Sequence, residues 1–205
     1  QEPDYIKKKL PSMYHQFKEL GDLDITEEPM EVGPTTHYMM GGISVDAETG
    51  ASSLKGMYAA GEAAAGLHGA NRLGGNSLSD VLGFGNISGR SAAHFALKSE
   101  GISFSKSKLK EAANKIVESF SEDKTENPYY LHQELQDIME MHAGIVRDEE
   151  SLNEGIEKLK DLSKRVDNAK ATGDRAYNPS WHLCLDMKNM IITSLAVAEA
   201  AKERR

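Results

Sequence analysis

The sequence predicts an α/β segment followed by an all-α helical bundle, which makes the fold α+β overall. Two observations lead to this prediction. Residues 34–98 are rich in glycine and small side chains around short apolar runs, whereas residues 104–205 carry apolar side chains at helical spacing. The composition changes sharply after Lys98. We therefore expect a domain boundary near residues 99–105.

The first 33 residues are polar and contain one short helical pattern. Leu10, Met13, Tyr14 and Phe17 follow an i, i+3, i+4, i+7 spacing, which places them on one face of a helix. Such a helix needs an apolar partner to pack against.

Glycine clusters dominate the next segment. The first, residues 34–43, places His37 and an aromatic side chain before a Gly pair and a short strand. The second, residues 59–62, follows a predicted strand at residues 57–58 and ends in Glu62, as glycine-rich strand ends near a nucleotide often do. A lone histidine or a lone acid is more often an ordinary core or solvated group, so neither cluster assigns a function alone.

The third cluster, residues 68–78, combines a cation, two amides, a hydroxyl and three glycines. Arg72 offers a planar donor fork that suits a carboxylate, and together with His37 it can hold a small dicarboxylic acid. Asn76 and Ser77 open an apolar helical run, so their backbone amides are expected at a helix N-terminus. Such a terminus favours an anion or an electron-rich ring.

Residues 83–89 loosely resemble a dinucleotide-binding fingerprint. The spacing is off by one, with Ser88 in place of the third glycine, and the run continues a helix instead of following a strand. We interpret these small residues as close helix packing.

Four helices are predicted in the last hundred residues. Asn127 as N-cap and Pro128 at the first helical position mark the start of the second, and Gly173 and Pro179 separate the third from the fourth. Their apolar stripes, in chain order, are Leu109, Ala112, Ala113, Ile116 and Val117; Leu131, Leu135, Ile138, Met139 and His142; Leu152, Ile156, Leu159, Leu162 and Val166; and Trp181, Cys184, Leu185, Ile192 and Leu195.

Charge and cysteine usage exclude several classes of function. A net charge of −8 gives no electrostatic attraction to nucleic acid or to an anionic membrane. The single cysteine, Cys184, excludes an internal disulfide framework and a CxxC metal or redox site, and we expect it to be a small core residue. No stretch approaches the length of a membrane span. No metal site is predicted.

Three blocks carry a resemblance to a known family. The runs HYMMGGI, MYAAGE and HGANRLGGNSL, in this order and with short spacings, resemble the flavoprotein subunit of succinate dehydrogenase and fumarate reductase. The later run LHQELQDIMEMHAGIVRDEESL resembles the C-terminal helical domain of the same family. The likeness covers almost the whole chain from residue 34 onward, and more loosely the residues before it.

The resemblance implies roles for five residues. His37 and Arg72 would bind the substrate carboxylates, Glu62 would contact the ribityl side of the flavin, and Ser77 and Leu78 would contact the isoalloxazine ring through their backbone. It also implies FAD as cofactor, hydride transfer between the flavin N5 and succinate or fumarate, and electron transfer to an iron–sulfur subunit.

The resemblance also implies a division of the chain. Residues 1–36 would be the tail of a capping domain, residues 37–103 the C-terminal part of an FAD-binding domain, and residues 104–205 a helical bundle. The GxGxxG turn, a flavin-attaching histidine and a proton-shuttling arginine are expected before Gln1, so no catalytic residue is predicted within the chain, and the chain alone is expected to be inactive. We expect a cytoplasmic location at the inner face of the cell membrane, which only other subunits would contact.

Two alternative functions remain open at this point. An L-aspartate oxidase shares the HGANR run but usually lacks the Gly74-Gly75 pair, which favours the succinate and fumarate reading. A non-catalytic interaction module would use the helical bundle as a docking surface. Such a module has no need for His37, Glu62 and Arg72 beside so many glycines.

Overall fold

The computed structural model describes residues 4–33, 37–101 and 105–204. The chain divides into two compact units, residues 1–101 and residues 102–205. Seven α-helices and two short 3-10 turns, at Gly61–Ala63 and Glu118–Phe120, are the regular elements of the described residues. The second unit is built almost entirely from helices.

The first unit begins with α1 (Tyr5–Lys9) and α2 (Pro11–Gly21), which contact each other. The predicted helix is confirmed by α2, whose first residue is a proline, the residue that best tolerates that position. Leu10 precedes the helix as its N-cap residue, and neither helix buries any side chain. No described residue therefore covers the apolar face that the sequence predicted.

The α/β character expected for residues 37–103 is the main difference from the predicted fold. The described part of this segment has no strand, only isolated bridges that pair Ile43 with Ala64, Val45 with Ser52 and Ala51 with Tyr58. The predicted strand at residues 57–58 is therefore reduced to a single bridge. These short stretches pair only with one another, whereas a longer strand needs a neighbour along its whole length.

One long helix, α3 (Asn76–Lys98), follows these loops and contacts the 3-10 turn at Gly61–Ala63. It runs unbroken through residues 83–89, as expected for a stretch that is not a phosphate loop. The interpretation of these small residues as packing holds only for Ser88, which is buried and donates to the Ala59 carbonyl at 3.2 Å. A Cβ at Gly83, Gly85 or Gly89 would meet nothing within 4 Å among the described atoms.

The second unit is organised around three helices, α5 (Pro128–Ala143), α6 (Glu149–Val166) and α7 (Pro179–Glu203), which contact one another pairwise. Amphipathic stripes explain the packing, because apolar side chains three or four residues apart face one partner. The predicted stripes of α5 and α6 are confirmed. The buried cluster comprises Leu131, Leu135, Ile138, Ile156, Leu159, Leu162, Val166, Ala169, Ala171, Cys184, Met187, Ile191 and Ala198.

Side-chain caps define where these helices begin. The Asn127 carboxamide oxygen accepts the Tyr129 amide at 2.9 Å, and Pro128 follows at the first helical position, as predicted. The Asp148 carboxylate accepts the Ser151 amide at 2.9 Å at the start of α6. Each cap supplies a partner for an amide that has none within its helix.

Two predicted stripes differ from the structure. Helix α4 (Lys106–Val117) buries no side chain, and Leu109 is 64 % exposed, because α4 contacts only the 3-10 turn that follows it among the described elements. In α7, Ile192 is 67 % exposed, whereas Met187 and Ile191 are buried in its place. Apolar residues lie on both sides of α7, so spacing alone does not select the buried side.

A glycine sets the distance between α5 and α6. A Cβ at Gly155 would lie 2.5 Å from the His142 Cβ, which is closer than side chains can approach. The His142 ring is buried and lies 3.1 Å from both the Ser151 hydroxyl, through Nδ1, and the Lys158 ammonium, through Nε2. Since Lys158 can only donate, Nε2 accepts and Nδ1 carries the proton.

Within the described residues, no helix is long and apolar enough to cross a bilayer.

Gly155→Ala tests the close contact between α5 and α6. We expect a net loss of about 1–2 kcal/mol in the free energy of unfolding, because the overpacking at His142 exceeds the helix propensity that alanine gains. Urea unfolding followed by fluorescence measures this loss, since the chain has one tryptophan, Trp181, which packs on Phe120 within the second unit. Asn153→Ala, on the exposed side of α6, is the control and should change stability by less than about 0.5 kcal/mol.

Alkylation of Cys184 tests the buried seam of α7. The thiol is 2 % exposed, and burial raises its pKa, so little thiolate forms at pH 8. We expect iodoacetamide to react on the order of 100-fold more slowly with the folded chain than with the chain in urea. A chain with Cys184→Ser and the exposed Thr193→Cys should react rapidly in both conditions; equal protection of both thiols would contradict the burial of Cys184.

Candidate functional site

The third glycine cluster holds Arg72 in a constrained environment. Its guanidinium carbon lies 4.6 Å from the centre of the Tyr38 ring, and Nη1 donates to the Leu73 carbonyl at 3.2 Å. The Nε atom is buried and has no hydrogen-bond partner among the described residues. A buried donor without a partner is costly, so this arrangement suits a ligand that brings an acceptor.

Tyr38, His68 and Asp80 continue outward from Arg72, and we call these four residues the Tyr38 cluster. The His68 ring meets the Tyr38 ring edge-on, with centres 5.7 Å apart and planes at 84°. His68 Nε2 lies 3.1 Å from an Asp80 carboxylate oxygen, and the two side chains are 13 % and 4 % exposed. Asp80 thus brings a carboxylate into a nearly buried position with one ring nitrogen as its partner.

The Tyr38 phenol responds to this environment. Desolvation is the main cause that raises the pKa of Tyr38, followed by the negative charges of Asp80 and Glu62, while Arg72 acts in the opposite direction. The phenol is therefore neutral at physiological pH.

Glu62 closes the loop between the first two glycine clusters. One of its carboxylate oxygens accepts the Met39 amide at 2.7 Å, which ties the 3-10 turn at Gly61–Ala63 to the residues after Tyr38. The second cluster is thereby held against the first.

Ser77 and Leu78 lie in the first turn of α3. The N-cap residue is Gly75, with φ of +85°, a conformation that glycine adopts without strain, and no side chain caps the helix. A Cβ at Gly74 or Gly75 would meet nothing within 4 Å of the described atoms. Leu78 is 71 % exposed and Ser77 is partly buried, so the uncapped amides of this turn face a region that the described residues leave open.

His37 is the predicted residue with the least support from its surroundings. Its side chain is exposed and makes no hydrogen bond to any described residue. Its neighbour Tyr38 stacks on Arg72, which places the backbone of His37 near the same cluster. The structure thus joins the loops that carry His37, Glu62 and Arg72, without a contact between their side chains.

The sequence reasoning missed the pair His68 and Asp80. Twelve residues separate them, so only the folded chain brings them together. One signal was available: an acid three residues after Ser77 resembles a helix capping box, a pattern that predicts an exposed acid. The structure instead buries Asp80, because Gly75 and not Ser77 is the N-cap.

Two family models match the chain. Residues 2–78 match the FAD binding domain, and residues 132–205 match the C-terminal part of the fumarate reductase flavoprotein. The first match supports FAD as the cofactor that the sequence predicted.

Similar proteins extend this picture over nearly the whole chain. The fumarate reductase (CoM/CoB) of Methanothermobacter marburgensis contains a polypeptide 36 % identical over 97 % of the chain, and the succinate dehydrogenase flavoprotein subunit of Coxiella burnetii is 34 % identical over 97 %. The solved structure of Mycobacterium smegmatis Sdh1 in complex with UQ1 covers 100 % of the chain at 45 % identity, with a TM-score of 0.89. The chain spans 36 % of the length of each of these two relatives and 34 % of that structure.

A phenol titration tests the Tyr38 cluster. The chain has seven tyrosines, so the absorbance of the parent chain minus that of Tyr38→Phe isolates the ionisation of Tyr38. We expect its midpoint above the ordinary value of about 10, because desolvation and the nearby carboxylates disfavour the phenolate. Asp80→Asn should lower that midpoint. A midpoint at or below 10 in the parent chain would contradict the geometry of the cluster.

Proposed function

From the confirmed resemblance of the chain to the flavoprotein subunits of succinate dehydrogenase and fumarate reductase, we propose that it forms part of an FAD-dependent oxidoreductase subunit that interconverts succinate and fumarate. The chain would supply one side of the dicarboxylate site and one side of the flavin site. The proton-shuttling arginine would come from another part of the same subunit.

The unpartnered Nε of Arg72 is the observation that carries this proposal. The guanidinium stacks on Tyr38 through its face, which leaves its in-plane N–H donors for an acceptor, and Nη1 is held by the Leu73 carbonyl. A carboxylate matches such a donor fork in shape and charge. Together with His37, Arg72 would form a carboxylate clamp for a small dicarboxylate.

The uncapped start of α3 supports the flavin side of the proposal. The amides of Ser77 and Leu78 lie at the positive end of a 23-residue helix, and no side chain caps them. Backbone donors at this position suit the electron-rich edge of an isoalloxazine ring, and the exposed Leu78 offers an apolar surface beside it. Glu62, whose carboxylate is already oriented by the Met39 amide, would contact the ribityl side.

The chain's own residues would bind and orient the substrate. FAD, when bound, supplies the acceptor or donor of a hydride. Arg72 and His37 would hold the carboxylates so that the reacting carbon stays in one position, and the charge of Arg72 would stabilise negative charge that develops on the substrate. Desolvation at Tyr38 would strengthen these electrostatic contacts.

The rest of the subunit enters the proposal through the exposed surfaces of the first unit. We propose that residues 1–36 belong to a capping domain, that residues 37–103 belong to an FAD-binding domain whose sheet is completed by other strands, and that residues 104–205 form its helical domain. Leu78, Leu82 and Leu97 of α3 are exposed in the described structure, as expected for residues that pack against further parts of such a domain. Electrons would pass to an iron–sulfur subunit, at the cytoplasmic face of the membrane.

The two alternatives have less support. The names of the relatives favour succinate and fumarate over aspartate as substrates. A docking module without chemistry leaves the buried, unpartnered Arg72 Nε unexplained.

Arg72→Ala, in the FAD-loaded flavoprotein that contains this chain, tests the carboxylate clamp. We expect kcat/KM for succinate or fumarate to fall by on the order of 100-fold or more, about 3 kcal/mol of transition-state binding, while the melting temperature stays nearly constant. Arg90→Ala, which removes an exposed arginine of α3, is the control and should leave kcat/KM within about twofold. Normal turnover in Arg72→Ala would refute the proposed role.

A further inference from the structure

Arg72 cannot hold a fixed plane by itself, because its side chain has several rotatable bonds and only Nη1 has a protein partner among the described residues. The Tyr38 ring, 4.6 Å from the guanidinium carbon, is the surface against which that plane rests. An aromatic face attracts the guanidinium without consuming any of its N–H donors. The ring therefore restricts the orientation of Arg72 and leaves its donors available.

Tyr38 is held in turn by groups that the proposed reaction does not use. The edge of His68 meets its ring, and the His68 Nε2 is fixed by the Asp80 carboxylate at 3.1 Å. A nearly buried carboxylate strongly favours the one donor within its reach, so the His68 ring has one preferred tautomer and orientation. Contacts thus run from Asp80 on α3 through His68 and Tyr38 to Arg72.

We infer that Tyr38 is a positioning residue for dicarboxylate binding: its ring holds the plane of the Arg72 guanidinium, and the His68–Asp80 pair holds the ring. This inference rests on the proposed function, because it requires that Arg72 binds a carboxylate. It concerns the ring of Tyr38 and not its hydroxyl, which makes no hydrogen bond to a described residue at ordinary distance.

The ring and the hydroxyl can be separated by substitution. Tyr38→Phe keeps the aromatic face, whereas Tyr38→Leu keeps an apolar side chain but removes the face. Tyr58→Leu is a matched control, because Tyr58 pairs with Phe95 in the same unit and has no contact with Arg72. A merely structural role would affect the two leucine variants through the melting temperature and the flavin content.

The test is the binding of malonate to the FAD-loaded flavoprotein that contains this chain, followed by the absorbance of the flavin. Malonate is a dicarboxylate with a single carbon between its carboxylates, so it cannot lose hydrogen to form an alkene, and its Kd reports binding alone. We expect Tyr38→Phe and Tyr58→Leu to leave Kd within about twofold, and Tyr38→Leu to raise it about tenfold at unchanged flavin content. Equal Kd values for Tyr38→Phe and Tyr38→Leu would overturn the inference.

Two further variants keep the outcome clear. Arg72→Ala in the same titration separates the two proposals: an unchanged Kd there refutes the carboxylate clamp itself, whereas a raised Kd beside a normal Tyr38→Leu refutes only the role of Tyr38. Asp80→Asn preserves volume, should fold even if Tyr38→Leu does not, and weakens the anchor of His68. We expect it to raise the malonate Kd about fivefold, and an unchanged Kd would overturn the role of the His68–Asp80 pair.

Discussion

The apolar seam between α5, α6 and α7 is the constraint on which the second unit depends. Leu131, Leu159, Leu162, Met187 and Ile191 are almost completely buried there, and each comes from one of the three helices. Burial of such side chains contributes about 1.5–3 kcal/mol each, whereas an exposed ion pair contributes less than about 1 kcal/mol. The bridges from Arg165 to Glu126 and Glu134 therefore refine an arrangement that the seam has already set.

The first unit has no comparable seam among its described residues. Its buried side chains are polar, Asp80 and Ser88, and the large apolar residues of α3 are mostly exposed. Its loops are joined by specific polar and ring contacts, such as Glu62 with Met39 and Tyr38 with Arg72. A structure held in this way places functional groups with accuracy but draws little stability from them, because such contacts contribute only modestly in water. The candidate site and the stable core therefore lie in different units.

Periodicity predicted the parts of the fold in which local pattern and tertiary packing agree. The stripes of α5 and α6 are strongly amphipathic, so Leu135 and Leu159 could be assigned to the core from spacing alone. The pattern failed in α7, where Ile191 and Ile192 are adjacent and only the partner helices decide which is buried. It failed for residues 57–58 because a strand requires a neighbouring strand, which no local pattern supplies.

The candidate site divides in the same way. Composition indicated Arg72, since a lone cation among glycines and amides is unusual, but it gave no sign that the partner of His68 is twelve residues away on a helix. That partner has a consequence for the proposed chemistry. Ser77, expected beside the flavin, and Asp80, which anchors the His68–Tyr38–Arg72 contacts, lie three residues apart on α3 and therefore on one face. Under the proposed function, a rigid helical turn would connect the flavin side of the site to the carboxylate side, so that a shift of α3 would move both together.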